Sequence, residues 1–235
     1  MIRWSASLAI PAVLGCSQDT EPRVKESCIV GGHAEGEEFA SLGQTVVALV
    51  DDYKNPASLC SGVFVSPRVL LTASHCRGLL PERFDVVTGS SVSCPERVYP
   101  GRFAVLHSSL DIALVEVETK EPNLAFMPWN NDPHLDGIQG TVVIAGFGVS
   151  DSGWIGSKLF ASTQIVAMTT EYLTTSSTEY SGGCDGDSGG PLFGRNSEGD
   201  ALVLGILSKG SSSCRGEDHF VRLSHIGAWI GENIE

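Results

Sequence analysis

Positive charge is scarce in this sequence. Its 235 residues carry 15 Lys and Arg against 28 Asp and Glu, a formal net charge of −13. A broad face for nucleic acid or another polyanion needs the opposite balance, although a local basic patch does not. Long apolar runs are missing too. No uninterrupted stretch reaches the roughly 18 residues that a membrane-spanning helix requires. Neither a nucleotide-binding glycine loop nor a helical pair of metal ligands occurs, and no internal repeat is visible. What remains is 42% apolar, enough for one large domain or two small ones. With 27 Gly and 11 Pro the chain reads as turn-rich rather than as a helical bundle.

The first segment has its own logic. Met1 to Gly15 holds Arg3 and then a short apolar stretch, Leu8 to Leu14. A positive end followed by an apolar centre and small residues is expected of an export signal. Val13-Leu14-Gly15-Cys16 resembles a bacterial lipoprotein cleavage box. That resemblance implies a signal over residues 1–15, lipid on Cys16 and a membrane-leaflet anchor, with Ser17 looking like an outer-membrane address. The alternative is an ordinary signal peptide cut nearby and a secreted or periplasmic product. The chain has seven cysteines, so removing Cys16 leaves an even six. Exported proteins usually pair such thiols. Residues 16–28 are short, polar and charged, and read as a linker or pro-segment.

After Ile29 the pattern is strand-like nearly throughout. Thr45–Val50, Gly62–Val65, Val69–Thr72, Phe84–Thr88, Phe103–Leu106, Ile112–Val117, Val142–Ala145, Ile165–Met168 and Leu202–Leu207 are short and rich in β-branched residues. Gly, Pro, Ser or Asp separates them, and the gaps are too short for crossover helices, so the sheet is expected to be antiparallel. Glu118 to His134 loses this periodicity and contains Pro122, Pro128 and Pro133. An all-β fold of two packed barrels follows, with halves near 29–125 and 126–222. Leu223, Ile226, Trp229, Ile230 and Ile234 recur at helical spacing, which predicts a terminal helix over 224–234 with Ser224 available as a cap.

Three stretches carry chemistry. Gly182-Gly183-Cys184-Asp185-Gly186-Asp187-Ser188-Gly189-Gly190-Pro191 surrounds a serine with glycines that permit a tight turn and inward-pointing amides. A serine is a weak nucleophile unless a base takes its proton and amides meet the oxyanion. Leu71-Thr72-Ala73-Ser74-His75-Cys76 supplies an imidazole, which can accept and return a proton near neutrality. Asp111 opens the apolar run Ile112-Ala113-Leu114-Val115. An acid there is costly to bury without a partner, and an imidazole N–H is one.

With Ile29-Val30-Gly31-Gly32 and Gly146-Phe147-Gly148, these boxes resemble the trypsin/chymotrypsin-like serine endopeptidases across residues 29 to 235. The order His, Asp, Ser agrees with that family. The resemblance implies two six-stranded antiparallel barrels and a C-terminal helix. It makes His75 the general base and acid, Asp111 its orienter and Ser188 the nucleophile. The amides of Gly186 and Ser188 would form the oxyanion hole, with no cofactor or metal. The short span of 36 residues from His75 to Asp111 leaves no room for the calcium loop of many animal relatives. A cut before Ile29 would release an α-ammonium to pair with Asp187, making the chain a zymogen. Bridges Cys60–Cys76 and Cys184–Cys214 are implied. Cys28 with Cys94 is a further expectation, holding the pro-segment to the body after cleavage.

Specificity is harder to read. The resemblance puts Gly182 at the base of the substrate pocket, which favours apolar or small side chains. It puts Asp218 on the pocket wall, where a carboxylate could take Arg or Lys; the alternative is an exposed loop acid beside Glu217. Ser208-Lys209-Gly210 would be the edge that pairs with the substrate backbone, with Lys209 either selecting acidic neighbours or pairing with Asp218. The expected activity is endopeptidase cleavage after Arg/Lys with broad tolerance. Chymotrypsin- or elastase-like cleavage and a catalytically silent binding protein are the alternatives. Residue 28 is Cys rather than a basic residue, so self-activation at that bond is not expected, and a separate activating protease becomes a partner alongside the polypeptide substrate.

Overall fold

Alternation at a period of two has a visible consequence in the strand Val46–Val50, which is buried at all five positions. In a computed structural model of the chain, which describes residues 33–34, 39–121, 124–135, 140–176 and 182–234, the two faces of this strand serve different cores. Val47 and Leu49 join Phe64, Leu70, Phe84, Val86, Phe103 and Val115 inside a first barrel. Val46, Ala48 and Val50 face the other way, into a cluster with Phe147, Phe160, Phe193 and Val203 between the barrels. A third cluster, with Ile144, Leu173, Leu204 and Phe220, fills the second barrel. Strands buried on both faces read as continuous apolar runs, and this explains why the sequence announces them so plainly.

The first barrel is closed and antiparallel. Its strands are β2 (Val46–Val50), β3 (Leu59–Phe64), β4 (Val69–Thr72), β5 (Phe84–Thr88), β6 (Arg97–Leu106) and β7 (Ala113–Val117), in the order β2-β3-β4-β7-β6-β5 with β5 returning to β2. The second comprises β8 (Val142–Gly146), β9 (Leu159–Met168), β10 (Tyr172–Ser176), β11 (Pro191–Arg195), β12 (Ala201–Lys209) and β13 (Glu217–Arg222). Its order is β9-β10-β13-β12-β11-β8, and the β8–β9 pairing closes it. The chain leaves one barrel at Val117 and enters the other at Val142. One short strand departs from the expected halves. β1 (His33–Ala34) pairs with β9, opposite Phe160 and Leu159, so these early residues join the second sheet.

A short helix α1 (Ala40–Gly43) precedes β2, and α2 (Leu223–Asn233) ends the described chain. Leu223, Ile226 and Ile230 bury the apolar stripe of α2 in the cluster between the barrels. Ser224 is not its cap. The N-cap is Arg222, and Ser224 is the second helical residue, its hydroxyl accepting a bond from Arg222 Nε at 3.0 Å. Cys60–Cys76 and Cys184–Cys214 are disulfides. Cys94 is also disulfide-bonded, to a partner outside the described residues. The signal, Cys16, the linker to Cys28 and Ile29 lie outside them as well. Among the described residues no helix is long and apolar enough to cross a membrane.

Candidate active site

β4 ends at Thr72, and a single 3-10 turn, Ser74–Gly78, follows. That turn presents His75, while the Cys60–Cys76 bridge ties the next residue back to β3. Asp111 lies just before β7, which pairs with β4 at Ala113 opposite Thr72. Two adjacent strands therefore deliver the acid to the histidine. His75 Nδ1 and Asp111 Oδ2 are 2.7 Å apart.

Every other bond to Asp111 comes from a donor. Oδ1 accepts from His75 N and from the Ser74 hydroxyl, each at 2.9 Å, and Oδ2 accepts from the Ser208 hydroxyl at 2.8 Å. Burial by itself pushes this carboxyl up. The bonds from His75, Ser208 and Ser74 outweigh it and hold the group well below the usual carboxylate range. The hydrogen bond that His75 donates to Asp111, and the charge of that carboxylate, raise the His75 imidazole above 6.5, against the opposing effect of burial. The resulting base carries a fixed tautomer, because a carboxylate can only accept. Ser208, in β12, turns its hydroxyl to Asp111, a contact that the sequence does not announce.

The Ser188 loop is clamped from the first barrel. Ser61, on β3, donates its N–H to the Ser188 carbonyl at 2.8 Å and its hydroxyl to the Gly186 carbonyl at 2.9 Å. The same hydroxyl accepts from Phe147 N at 2.9 Å. The Ser188 carbonyl also lies 3.9 Å from Cys76 Sγ, beside His75. No hydrogen bond joins the Ser188 hydroxyl to the His75 ring; the Ser188 main chain reaches the turn of His75 through its carbonyl beside Cys76. Catalytic bonds of this kind are often long before substrate binds. Gly186 has φ +95° and Gly189 φ +83°, a backbone region that side chains rarely tolerate. Peptide planarity then aims the two amides of interest. The carbonyl sharing a plane with Gly186 N–H is that of Asp185, which accepts from Val149 N at 2.8 Å. The one sharing a plane with Ser188 N–H belongs to Asp187 and accepts from Gly190 N at 2.8 Å.

Asp187 is buried, 2% exposed, with Oδ1 accepting from Gly148 N at 2.7 Å and Oδ2 from Cys184 N at 2.9 Å. This explains Gly146-Phe147-Gly148: a Cβ on either glycine would overlap the Asp187 carboxylate. Desolvation, opposed by the two amides and reinforced by the charges of Asp218 and Asp185, pushes the Asp187 carboxyl up to about 7. No cation pairs with it among the described residues.

Asp218 is no exposed loop acid. It sits in β13, 1% exposed, and its Oδ2 accepts from Gly183 N at 2.8 Å. Burial pushes it up to about 6, against that bond. Lys209 is exposed at the end of β12 and forms no ion pair with Asp218, while Gly182 is buried and Gly210 exposed. Cys60, His75 and Cys76 bring three possible metal donors together, but the two sulfurs are spent in a disulfide and are not thiolates.

Comparison with known proteins agrees with this geometry. The chain is 28% identical to the protein "Serine protease SP24D" of Anopheles gambiae over 259 residues, covering 97% of this chain and 89% of that one. It is 26% identical to "Fibrinolytic enzyme, isozyme C" of Lumbricus rubellus over 216 residues, covering 74% and 88%. The sequence profile of the Trypsin family matches residues 29–230, so the chain belongs to the trypsin family of serine proteases.

Proposed function

We propose that this chain is a serine endopeptidase that works through an acyl-enzyme. The observation that carries the reading is the 2.7 Å contact of His75 Nδ1 with Asp111 Oδ2, on an acid kept ionised by three further donors. It leaves Nε2 as the free basic atom, the one that this reading assigns to Ser188. Nε2 takes the Ser188 hydroxyl proton as Oγ bonds to the peptide carbonyl carbon, whose oxygen becomes the oxyanion held by the amides of Gly186 and Ser188. The imidazolium gives that proton to the leaving amine as the C–N bond breaks. Water, deprotonated by His75, then attacks the ester; its collapse releases the acid and returns the proton to Ser188. One relative is named a serine protease and the other a fibrinolytic enzyme, which supports the same reading.

The finer parts rest on separate observations. Asp218 is our choice for the acid that takes Arg or Lys; its bond from Gly183 N, next to Gly182, and its closeness to Gly210 support this. Gly182 adds tolerance for uncharged side chains, and exposed Lys209 favours acidic residues elsewhere in the substrate. Asp187, buried without a cation, is the group that a new Ile29 ammonium would pair with, so the chain is made as a zymogen. The disulfides suit an exported protein. The Cys16 box supports lipid anchoring, and Cys94 is the expected partner of Cys28. A fluorophosphonate probe tests the core of the reading. Processed protein with a verified Ile29 terminus should label at Ser188, and Ser188→Ala should not. Unlabelled processed protein would make the fold a binding scaffold instead.

A further inference from the structure

The inner face of the second barrel is apolar along β10 and β13 until its last row. Leu173 faces Phe220, both buried, and two residues on Thr175 faces Asp218. Directly opposed residues of antiparallel strands project from the same side, so the hydroxyl and the carboxylate share one space. Thr175 is 0% exposed, and its Oγ1 has no hydrogen-bond partner. Of the Asp218 oxygens, Oδ2 accepts from Gly183 N at 2.8 Å, while Oδ1 has no bond among the described residues. A buried hydroxyl and a buried carboxylate oxygen on cross-strand neighbours, both without a partner among the described residues, are costly unless a donor reaches them in the working state. The way in is short. A Cβ on Gly210 would stand 2.6 Å from Asp218 Oδ1, and Gly210 itself is exposed on the edge beyond Ser208 and Lys209. One glycine thickness separates the carboxylate from the surface.

We infer that Thr175 is a specificity-determining residue, and that with Asp218 it makes a primary pocket that prefers the ammonium of Lys to the guanidinium of Arg. The inference rests on the endopeptidase reading above. A guanidinium is best met by two coplanar oxygens of one carboxylate, taken as a fork. Here one of those oxygens is already engaged by a backbone amide. An ammonium is a point charge with three donors that needs separate acceptors arranged around it. Asp218 Oδ1 and Thr175 Oγ1 are two such acceptors, carried by different residues on neighbouring strands.

The test uses processed protein with an Ile29 terminus and peptide substrates identical except for Lys, Arg or Phe before the cut. Wild type should favour Lys over Arg in kcat/KM by several-fold or more. Thr175→Val, which keeps shape and removes the hydroxyl, should cut Lys turnover about tenfold relative to Phe and erase the Lys–Arg difference. Thr175→Ser should restore it. Asp218→Asn should abolish cleavage after both cations. As a second readout, n-butylammonium should protect Ser188 from the fluorophosphonate better than n-butylguanidinium, and Thr175→Val should remove that advantage. Labelling that persists while Thr175→Val leaves the Lys, Arg and Phe ratios unchanged would overturn the inference and leave the protease intact. A wild type that labels but prefers Arg or only apolar residues would overturn it equally. Loss of labelling in the wild type would instead sink the endopeptidase reading beneath it.

Discussion

Four donors converge on one carboxylate at Asp111, and that convergence sets what each residue of the site can be asked to do. Activity needs neutral His75, and Asp111 lifts the imidazole above 6.5, so kcat/KM should climb with pH through an inflection above 6.5. Asp111→Asn should move that inflection down and lower kcat by about 10⁴-fold, because the tautomer is lost. The depressed Asp111 has the opposite linkage: its contribution to stability is present above the ordinary 3.8 and is lost as pH falls through its lower folded value. A pH–rate profile of wild type and variant checks the first, and acid unfolding the second. Ser61 offers a sharper residue-scale test. Its hydroxyl anchors the Gly186 carbonyl and satisfies Phe147 N, so it positions the loop without touching substrate. Ser61→Ala removes both bonds and should lower kcat about tenfold or more with KM little changed, since each is worth on the order of 0.5–1.5 kcal/mol. A raised KM with intact kcat would move the role of Ser61 to the pocket.

Secondary structure was legible where burial is two-sided. β2, β4, β7 and β12 are continuous apolar runs because each serves a barrel interior on one face and another core on the other. The strands that escaped the sequence are those whose patterns are interrupted. β10 carries three threonines or serines beside Leu173, β11 opens on Pro191, and β13 alternates Asp218 and Phe220 with Glu217 and His219. A buried acid in β13 looks like a loop until the fold shows Gly183 N bonded to it. The catalytic boxes were readable for a related reason, since glycine and proline mark turns that tolerate little else. Ser61 and the bond of Ser208 to Asp111 were not, because a single hydroxyl carries no pattern and acts here through partners 125 and 97 positions away. Helix α2 makes an element-scale prediction. Ile230 is fully buried in the cluster between the barrels, so Ile230→Ala should cost about 2–5 kcal/mol. Urea unfolding measures this; a cost below about 1 kcal/mol would mean that α2 contributes little to that core.

The molecule as a whole is organised around a seam. Two closed barrels share an apolar cluster, and the groups that matter come from both sides: His75, Asp111 and Ser61 from the first, Ser188, Ser208, Asp187 and Asp218 from the second. Such a site works only when the second barrel's loops hold their shape against the first, and Asp187 ties that shape to charge. Its carboxyl is raised from 3.8 to about 7, chiefly by desolvation. The folded chain then binds more protons than the unfolded one between those values, so stability of the uncut protein should fall as pH rises from 4 to 7. Below 4 both states hold the proton and the penalty is absent. Asp187→Asn removes the titrating group but sets its NH2 against one of the two backbone donors, Gly148 N or Cys184 N, so it should flatten that slope at some cost in absolute stability. Cleavage before Ile29 should reverse the balance, because the new ammonium favours the ionised acid and stability at pH 7 should rise. The Asn variant, lacking the charge, should gain nothing from the cut and should not label with the fluorophosphonate. Melting curves of cut and uncut protein across pH 4 to 8, for wild type and Asp187→Asn, decide the matter: parallel curves for all four would detach Asp187 from activation.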